Sequence, residues 1–278
     1  MGHKHKEVQY YEGGLRGLFD THAHLYDDRL DPEQVLEHAR LAGVDKILVP
    51  ADNISTSRSA VEFAGRYSSD IKIWAAAGVH PHEASSYDAK AEEDLKSLLD
   101  NREQNRIRAL GEIGLDYYYD LSPRDVQREV FKKQLLIAKE ADIPFILHER
   151  DATGDCIEIL RDFYKRGILR KNPGVCHCCG MSVESAEILI KMGFYIGFDG
   201  PLTYKNNRRG VDLCKACPED RIVVETDSPY LTPEPNRGKT NEPCFVPFVI
   251  ERLAMERGRD VADMARITSE NGMALYEL

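Results

Sequence analysis

One repeating pattern constrains the fold of this chain most: a short apolar run followed by a longer amphipathic run, eight times over. The apolar runs are Gly17–Leu25, Lys46–Pro50, Ile71–Val79, Ile107–Ile113, Pro144–His148, Pro173–His177, Gly193–Phe198 and Ile222–Glu225. Such runs are typical of strands buried on both faces of a parallel sheet. The chain length allows about 35 residues per unit, the size of one repeat in a (β/α)8 barrel. No glycine-rich phosphate loop follows the first run, so we expect an α/β TIM barrel rather than an open doubly wound sheet.

The amphipathic runs carry helix start signals. Asp31–Pro32 and Ser122–Pro123 each place a capping side chain before a proline, a residue favoured at the first helical position. After the second signal, Phe131, Leu135 and Ala138 fall on one helical face. We therefore expect helices to begin at both positions.

Composition limits the classes of partner. The chain has 37 basic and 47 acidic residues, a net charge of −10, so phosphate binding would need a local positive site. No apolar run approaches the roughly 20 residues of a membrane helix, and no signal peptide pattern opens the chain. Seven cysteines then indicate reduced thiols. We expect a cytoplasmic protein with no membrane or obligate protein partner, in which residues 1–16 are an N-terminal extension or tag remnant and residues 17–278 form a single barrel domain.

Polar side chains interrupt the apolar runs at their C-terminal ends, which in a barrel all lie at the face that carries the active site. These side chains are His22, His24, Glu112, His148, His177 and Asp227. One histidine at a strand end is more often structural, but six such groups on one rim are typical of a metal site. Imidazole and carboxylate donors suit Zn, Mn or Fe, and six are more than one tetrahedral ion uses. We therefore predict two divalent ions that share one bridging carboxylate.

Six motifs that contain or adjoin these residues follow one another along the chain. They are Asp20-Thr-His-Ala-His-Leu, Gly78-Val-His-Pro-His, Gly111-Glu-Ile-Gly-Leu-Asp-Tyr, Leu147-His-Glu-Arg-Asp-Ala, Val223-Val-Glu-Thr-Asp-Ser-Pro-Tyr-Leu-Thr-Pro and Arg237-Gly-Lys-Thr-Asn-Glu-Pro. From about Phe19 to Asn271 the chain closely resembles the TatD family of metal-dependent hydrolases and deoxyribonucleases, within the amidohydrolase-like barrels.

This resemblance implies a distorted (β/α)8 barrel that hydrolyses phosphodiester bonds of DNA, as a 3′–5′ exonuclease that prefers single-stranded ends. It also implies two divalent metal ions as cofactors, which would be Mg, Mn or Zn. The resemblance assigns His22, His24 and Asp227 to one ion. It assigns His148 and His177 to the other ion and Glu112 to the bridge between them.

The resemblance also implies roles in the reaction. Glu112 and Asp227 are the expected catalytic residues, and Asp227 would orient the attacking water and accept its proton. Arginine suits bidentate phosphate contact, and the loop from Ser228 to Pro243 directly follows Asp227. The expected substrate-binding residues are His80, Arg150, Arg237 and Lys239.

The chain departs from the family pattern after His177. The family usually has His-Cys-Phe-Ser-Gly where this chain reads His177-Cys-Cys-Gly, so the local loop geometry is expected to differ. Two CxxC pairs, Cys176 with Cys179 and Cys214 with Cys217, raise the alternative of a structural zinc. Their separation is longer than in a typical zinc ribbon, and buried inert thiols are the expected reading.

Two other functions stay open at the level of sequence. One is a related barrel hydrolase that acts on an ester or amide such as aminoacyl-tRNA, although Glu112 stands where many amidohydrolases use a carboxylated lysine. The other is a non-catalytic protein that binds metal or nucleic acid. Tyr117–Tyr119 could stack nucleobases or simply pack under the loop after the fourth strand.

Overall fold

The computed structural model describes residues 7–278 and contains eight strands and nine α-helices in that range. The strands are β1 (Leu18–Asp20), β2 (Val44–Val49), β3 (Lys72–Ala77), β4 (Ile107–Asp116), β5 (Phe145–Arg150), β6 (Gly174–Cys176), β7 (Tyr195–Phe198) and β8 (Ile222–Val224). The helices are α1 (Pro32–Leu41), α2 (Ile54–Tyr67), α3 (Ala89–Asp100), α4 (Arg124–Glu140), α5 (Thr153–Lys165), α6 (Val183–Lys191), α7 (Arg208–Ala216), α8 (Val246–Arg257) and α9 (Val261–Leu275). All eight predicted strands are present, each with a helix after it.

The strands form one parallel sheet in the order β1 to β8. The segments that follow β1 and β8 close the ring, because Ala23 and Ser228 form a parallel bridge. The His24 N–H also donates to the Ser228 carbonyl over 2.7 Å. Register irregularities occur in β1, β3 and β4. The predicted distorted (β/α)8 barrel is therefore confirmed.

The core has an inner part and an outer part. One buried cluster takes at least one residue from each strand, which places it inside the barrel. Tyr276, just after α9, packs on Phe19 of this cluster and donates its hydroxyl to the Thr21 carbonyl. The larger cluster lies between the sheet and the surrounding helices. The C-terminal end of α9 therefore packs into the barrel interior, whereas its earlier residues lie in the outer cluster.

The two predicted helix starts have different outcomes. Asp31 caps α1 by accepting the Gln34 N–H, with Pro32 as the first helical residue, as predicted. The capping role predicted for Ser122 is wrong, since α4 begins at Arg124 without a side-chain cap. The Ser122 hydroxyl instead donates to the His82 carbonyl, which ties the start of α4 to the loop after β3.

Of the helices in residues 7–278, none combines the length and the apolarity that crossing a bilayer requires. Residues 1–6 of the predicted N-terminal extension lie outside the described range. Within residues 7–16, the Gln9 backbone exchanges two hydrogen bonds with the Asn236 side chain, and Tyr11 packs edge-on against Phe248. The division at residue 16 stays a prediction.

Candidate metal centre and active site

The six predicted donors meet at the C-terminal end of the barrel. Five strands and the segments that follow them supply the donors, with two histidines after β1, one donor each within β4 and β5, and one donor each after β6 and β8. The buried side chains of the barrel interior lie directly below them. The donors lie close enough for contacts among His22, His24, Glu112, His148, His177 and Asp227.

Glu112 lies between two pairs of histidines. Its Oε1 is 3.3 Å from His22 Nε2 and 3.2 Å from His24 Nε2. Its Oε2 is 2.9 Å from His177 Nε2 and 3.4 Å from His148 Nδ1. Each oxygen of one carboxylate therefore faces its own pair of imidazoles.

Asp227 adds a second carboxylate on one side of Glu112. Its Oδ1 lies 3.6 Å from His22 Nε2 and 3.5 Å from His24 Nε2. The backbone of Asp227 is in the left-handed region with φ of 57°, a conformation that Asp tolerates better than most residues. His22, His24 and Asp227 offer three ligand atoms within 4.8 Å of one another, and so do His22, Glu112 and His177.

The donors differ in the direction in which their surroundings shift the pKa. Burial lowers the pKa of His22 to about 4, so this imidazole is neutral. Burial alone would raise the pKa of Glu112, but His177 and His22 hold it well below its usual range. Burial likewise opposes the ionised form of Asp227, but the hydrogen bond from His24 lowers its pKa. Burial disfavours the charged forms of His24 and His148, but their acidic neighbours hold the pKa of His24 well above its ordinary value and raise that of His148 to about 9. A bound cation would therefore displace protons from these two imidazoles. Imidazoles and carboxylates are the donors that transition-metal dications prefer, so the donor set fits metal ions.

Asp116 orients His148 from the far side of the ring. His148 Nε2 is 3.0 Å from Asp116 Oδ2, and an ionised carboxylate only accepts hydrogen bonds. When a cation binds, the remaining proton of His148 would therefore be on Nε2, which frees the Nδ1 lone pair on the side of Glu112 and His177. Burial would raise the pKa of Asp116, but hydrogen bonds from His148 and His82 lower it strongly.

A chain of two hydrogen bonds also orients His24 from the far side of its ring. The His24 Nδ1 is 3.1 Å from the Tyr26 hydroxyl, which donates to Asp52 Oδ2 over 3.0 Å. The chain of contacts leaves His24 Nε2 to face Glu112. Partners of this kind set the tautomer and orientation of ligating histidines.

Asp116 and Asp52 are not among the site residues predicted from the sequence. Asp116 is the last residue of β4, and Asp52 follows β2 by three positions. A carboxylate at the end of an apolar run is the pattern that predicted Glu112 and Asp227. Asp116 and Asp52 show the same pattern.

A cavity of about 380 Å³ opens above the donors. Two of the predicted substrate-binding residues line it, His80 and Arg150. Arg237 and Lys239 are not among the lining residues. The Arg237 guanidinium lies 4.0 Å from the centre of the Tyr204 ring. The Lys239 ammonium is buried and has no hydrogen-bond partner among residues 7–278. The substrate contacts predicted for these two residues stay a prediction.

The cysteine pairs are not part of the metal-donor groups, although Cys176 and Cys179 flank His177 in the chain. Of the side-chain groups in residues 7–278 that are arranged to hold a metal ion, none contains a cysteine of either pair. All four stand as free thiols: Cys176, Cys179, Cys214 and Cys217. In the short loop after His177, the Cys178 N–H donates to Glu225 Oε1. The arrangement supports inert thiols over a structural zinc.

The sequence is similar to those of known proteins over almost its whole length. The family model described as "TatD related DNase" matches residues 19–277. The Bacillus subtilis protein named "Uncharacterized metal-dependent hydrolase YabD" is 40% identical over 263 residues, which cover 94% of this chain and 99% of that protein. The Rahnella protein named "3'-5' ssDNA/RNA exonuclease TatD" is 34% identical, with 94% of this chain and 98% of that protein covered.

A solved structure agrees with these sequence matches. The crystal structure of YJJV, a TatD homologue from Escherichia coli K12, superposes with a TM-score of 0.86 at 28% identity. The superposition covers 94% of this chain and 98% of that one. The chain described here therefore belongs to the TatD family and is a metal-dependent hydrolase.

Proposed function

We propose that this enzyme removes nucleotides from the 3′ end of single-stranded DNA by hydrolysing phosphodiester bonds. The observation that carries the proposal is the position of Glu112, whose two oxygens each face a separate pair of histidines. Two adjacent cation sites with one bridging carboxylate are typical of enzymes that cleave phosphate esters. Relatives named as 3′–5′ ssDNA/RNA exonucleases support this substrate and polarity.

The proposed ligands of one ion are His22, His24 and Asp227, those of the other are His148 and His177, and Glu112 bridges. Two bound dications would supply an activated water and neutralise charge on the phosphodiester oxygens. Asp227 is on the exposed side of the centre, with 14% of its side chain accessible. Its second oxygen, Oδ2, is proposed to orient the attacking water and accept the proton.

Arg150 and His80 are proposed to hold the phosphate. Arg150 lines the cavity and forms no ion pair with any residue of the range 7–278, so its guanidinium is available to an anion. His80 Nδ1 accepts the His82 N–H over 3.1 Å, which leaves a proton on Nε2. Burial keeps the pKa of His80 well below its ordinary value. A neutral imidazole with an Nε2–H is a hydrogen-bond donor for a phosphate oxygen.

The test is hydrolysis of a 5′-labelled single-stranded oligonucleotide by protein loaded with Mg²⁺, Mn²⁺ or Zn²⁺ in turn. We expect a ladder of products shortened from the 3′ end, with slower cleavage of a blunt duplex of the same sequence. Parallel reactions contain carboxylic esters, amides and aminoacyl-tRNA. Cleavage of those substrates without cleavage of the oligonucleotide would contradict the proposal, and so would oligonucleotide binding without turnover under every ion.

A further inference from the structure

Two exposed aromatic side chains stand at the mouth of the cavity. Tyr119 follows β4 and Tyr230 follows β8, and both line the same cavity as the metal ligands. Their side chains are 52% and 47% exposed. Their neighbour Tyr117 is different, because its hydroxyl donates to Asp155 and its ring packs on the core. The run Tyr117–Tyr119 therefore divides into one structural ring and two exposed rings.

The two rings lie on opposite sides of the metal centre. In a ring of eight strands in sequence order, closed between β8 and β1, strand β4 is diametrically opposite β8. Tyr230 lies beside the His22 and His24 side, with its ring centre 6.1 Å from that of His24. Tyr119 lies beside the His148 side, with its ring centre 5.3 Å from that of His82. A strand that crosses the centre would pass one ring on each side.

An arginine accompanies each ring. The Arg29 guanidinium is 4.4 Å from the centre of the Tyr230 ring and is held there by a two-point contact with Asp27. The Arg150 guanidinium is 4.8 Å from the Tyr119 ring and 4.1 Å from the Tyr118 ring. Tyr119 therefore combines an aromatic surface with the charge of Arg150, which is unpaired among residues 7–278. An aromatic surface with such a charge is the pairing that single-strand binding proteins use for a base and its phosphate. Tyr230 offers an aromatic surface beside an arginine whose charge is matched by Asp27.

We infer that Tyr230 and Tyr119 form two nucleobase-stacking subsites, one on each side of the phosphodiester that is cleaved. This inference rests on the proposed function and specifies its substrate as an unpaired polynucleotide that is recognised by stacking rather than by base identity. A base in a duplex is already stacked on its neighbours, so it cannot lie on either ring without leaving the duplex. Every base has an aromatic face, so the subsites accept all four bases.

The experiment compares Tyr230→Leu and Tyr119→Leu with Tyr230→Phe and Tyr119→Phe, which keep the ring. Tyr164→Leu, an exposed tyrosine on α5, is the control for surface change. Two oligonucleotides are used, one intact and one with tetrahydrofuran abasic residues at the 3′ end. Both KM for cleavage and Kd for a phosphorothioate-ended version are measured with metal-loaded protein.

We expect each leucine variant to raise KM and Kd for the intact strand about ten-fold, within the range measured for loss of one base–aromatic stack. The phenylalanine variants and Tyr164→Leu should stay within two-fold of the wild type. On the abasic strand, the leucine variants should differ from the wild type by less than two-fold.

The results distinguish failure of the stacking subsites from failure of the proposed function. Unchanged KM and Kd in the leucine variants, or the same loss on intact and abasic strands, would overturn the stacking subsites even if the enzyme cleaves DNA. A wild-type protein that binds the strand through these rings without cleaving it would instead overturn the proposed function and leave the subsites standing.

Discussion

Glu112 is the residue on which the metal centre depends. It is 3% exposed and contacts all four histidines through two oxygens that face different ways. A glutamine in its place would present one oxygen and one N–H2 group, and only the oxygen can bind a cation.

We therefore predict that Glu112→Gln lowers the number of bound divalent ions from two to one or fewer per chain. Turnover should fall more than about 100-fold, beyond the loss typical of residues that only support ligands. Metal content by mass spectrometry and the rate on single-stranded DNA check this. The matched control is Glu149→Gln, because Glu149 is a nearby carboxylate that accepts the Ala152 N–H. This variant should keep both ions. A Glu112→Gln protein with full metal content and rate would refute the bridge.

Asp116 provides a second test at the scale of single residues. Asp116 Oδ1 accepts the backbone N–H groups of Tyr118 and Tyr119, so in Asp116→Asn the amide nitrogen would face His148. His148 Nε2 would then have to accept, which moves the proton to Nδ1 and removes the lone pair that faces Glu112. We expect the metal concentration for half-maximal activity to rise about 10- to 100-fold.

Asp155→Asn is the control for Asp116→Asn, since Asp155 pairs with Arg128 at the surface. Titration of activity against Mn²⁺ compares the two variants. If both variants follow the wild-type curve, the orienting role of Asp116 is wrong.

At the scale of elements, helix α4 fixes the loops that carry the site. Two of its buried side chains are glutamines that bond to backbone groups rather than to solvent. Gln134 accepts the Val79 N–H and donates to the Val79 carbonyl, both over 2.8 Å. Gln127 does the same for the N–H and carbonyl of Asp116. The helix therefore holds the residue before His80 and the end of β4 at fixed positions.

Gln134→Leu should lower the free energy of unfolding by about 3 kcal/mol, because it leaves a buried N–H and a buried carbonyl of Val79 without partners. Urea denaturation followed by far-UV circular dichroism measures the change. Lys139→Leu on the solvent face of α4 should change it by less than about 0.5 kcal/mol. Equal effects of the two substitutions would show that the Gln134 hydrogen bonds contribute little.

Sequence periodicity predicts some ligand positions and not others. Ile146 and Val175 belong to the inner cluster, so their neighbours two positions on, His148 and His177, face inward by strict alternation. The same rule fails in β4, where Ala109 is inside and Glu112 would face outward. The register shift between Leu110 and Ile113 turns Glu112 inward, and a shift of this kind depends on pairing with β5, which local sequence does not reveal.

At the scale of the whole molecule, the charge of the site is opposite to that of the chain. The net charge is −10, whereas two dications with Glu112 and Asp227 would give a local charge of +2. A polyanionic substrate is therefore attracted only close to the site. Two large buried clusters of hydrophobic residues build the barrel, so we expect the fold to persist without the ions.

Chelation by EDTA should abolish activity and leave the far-UV circular dichroism spectrum of the folded protein. Each ion present at 100 times its Kd stabilises the folded state by about 2.7 kcal/mol, so Tm should fall by about 10–20 °C when both are removed. Mn²⁺ added back should restore both rate and Tm. Unfolding at 25 °C on chelation would show instead that a metal ion is part of the structural core.

The most direct test of the central claim is a crystal structure of the Mn²⁺-loaded protein with anomalous diffraction data. The account predicts two anomalous peaks on either side of Glu112. One would lie among His22, His24 and Asp227, and the other would lie between His148 and His177. A single peak at full metal occupancy, or two peaks of which neither touches Glu112, would contradict the bridged two-metal centre.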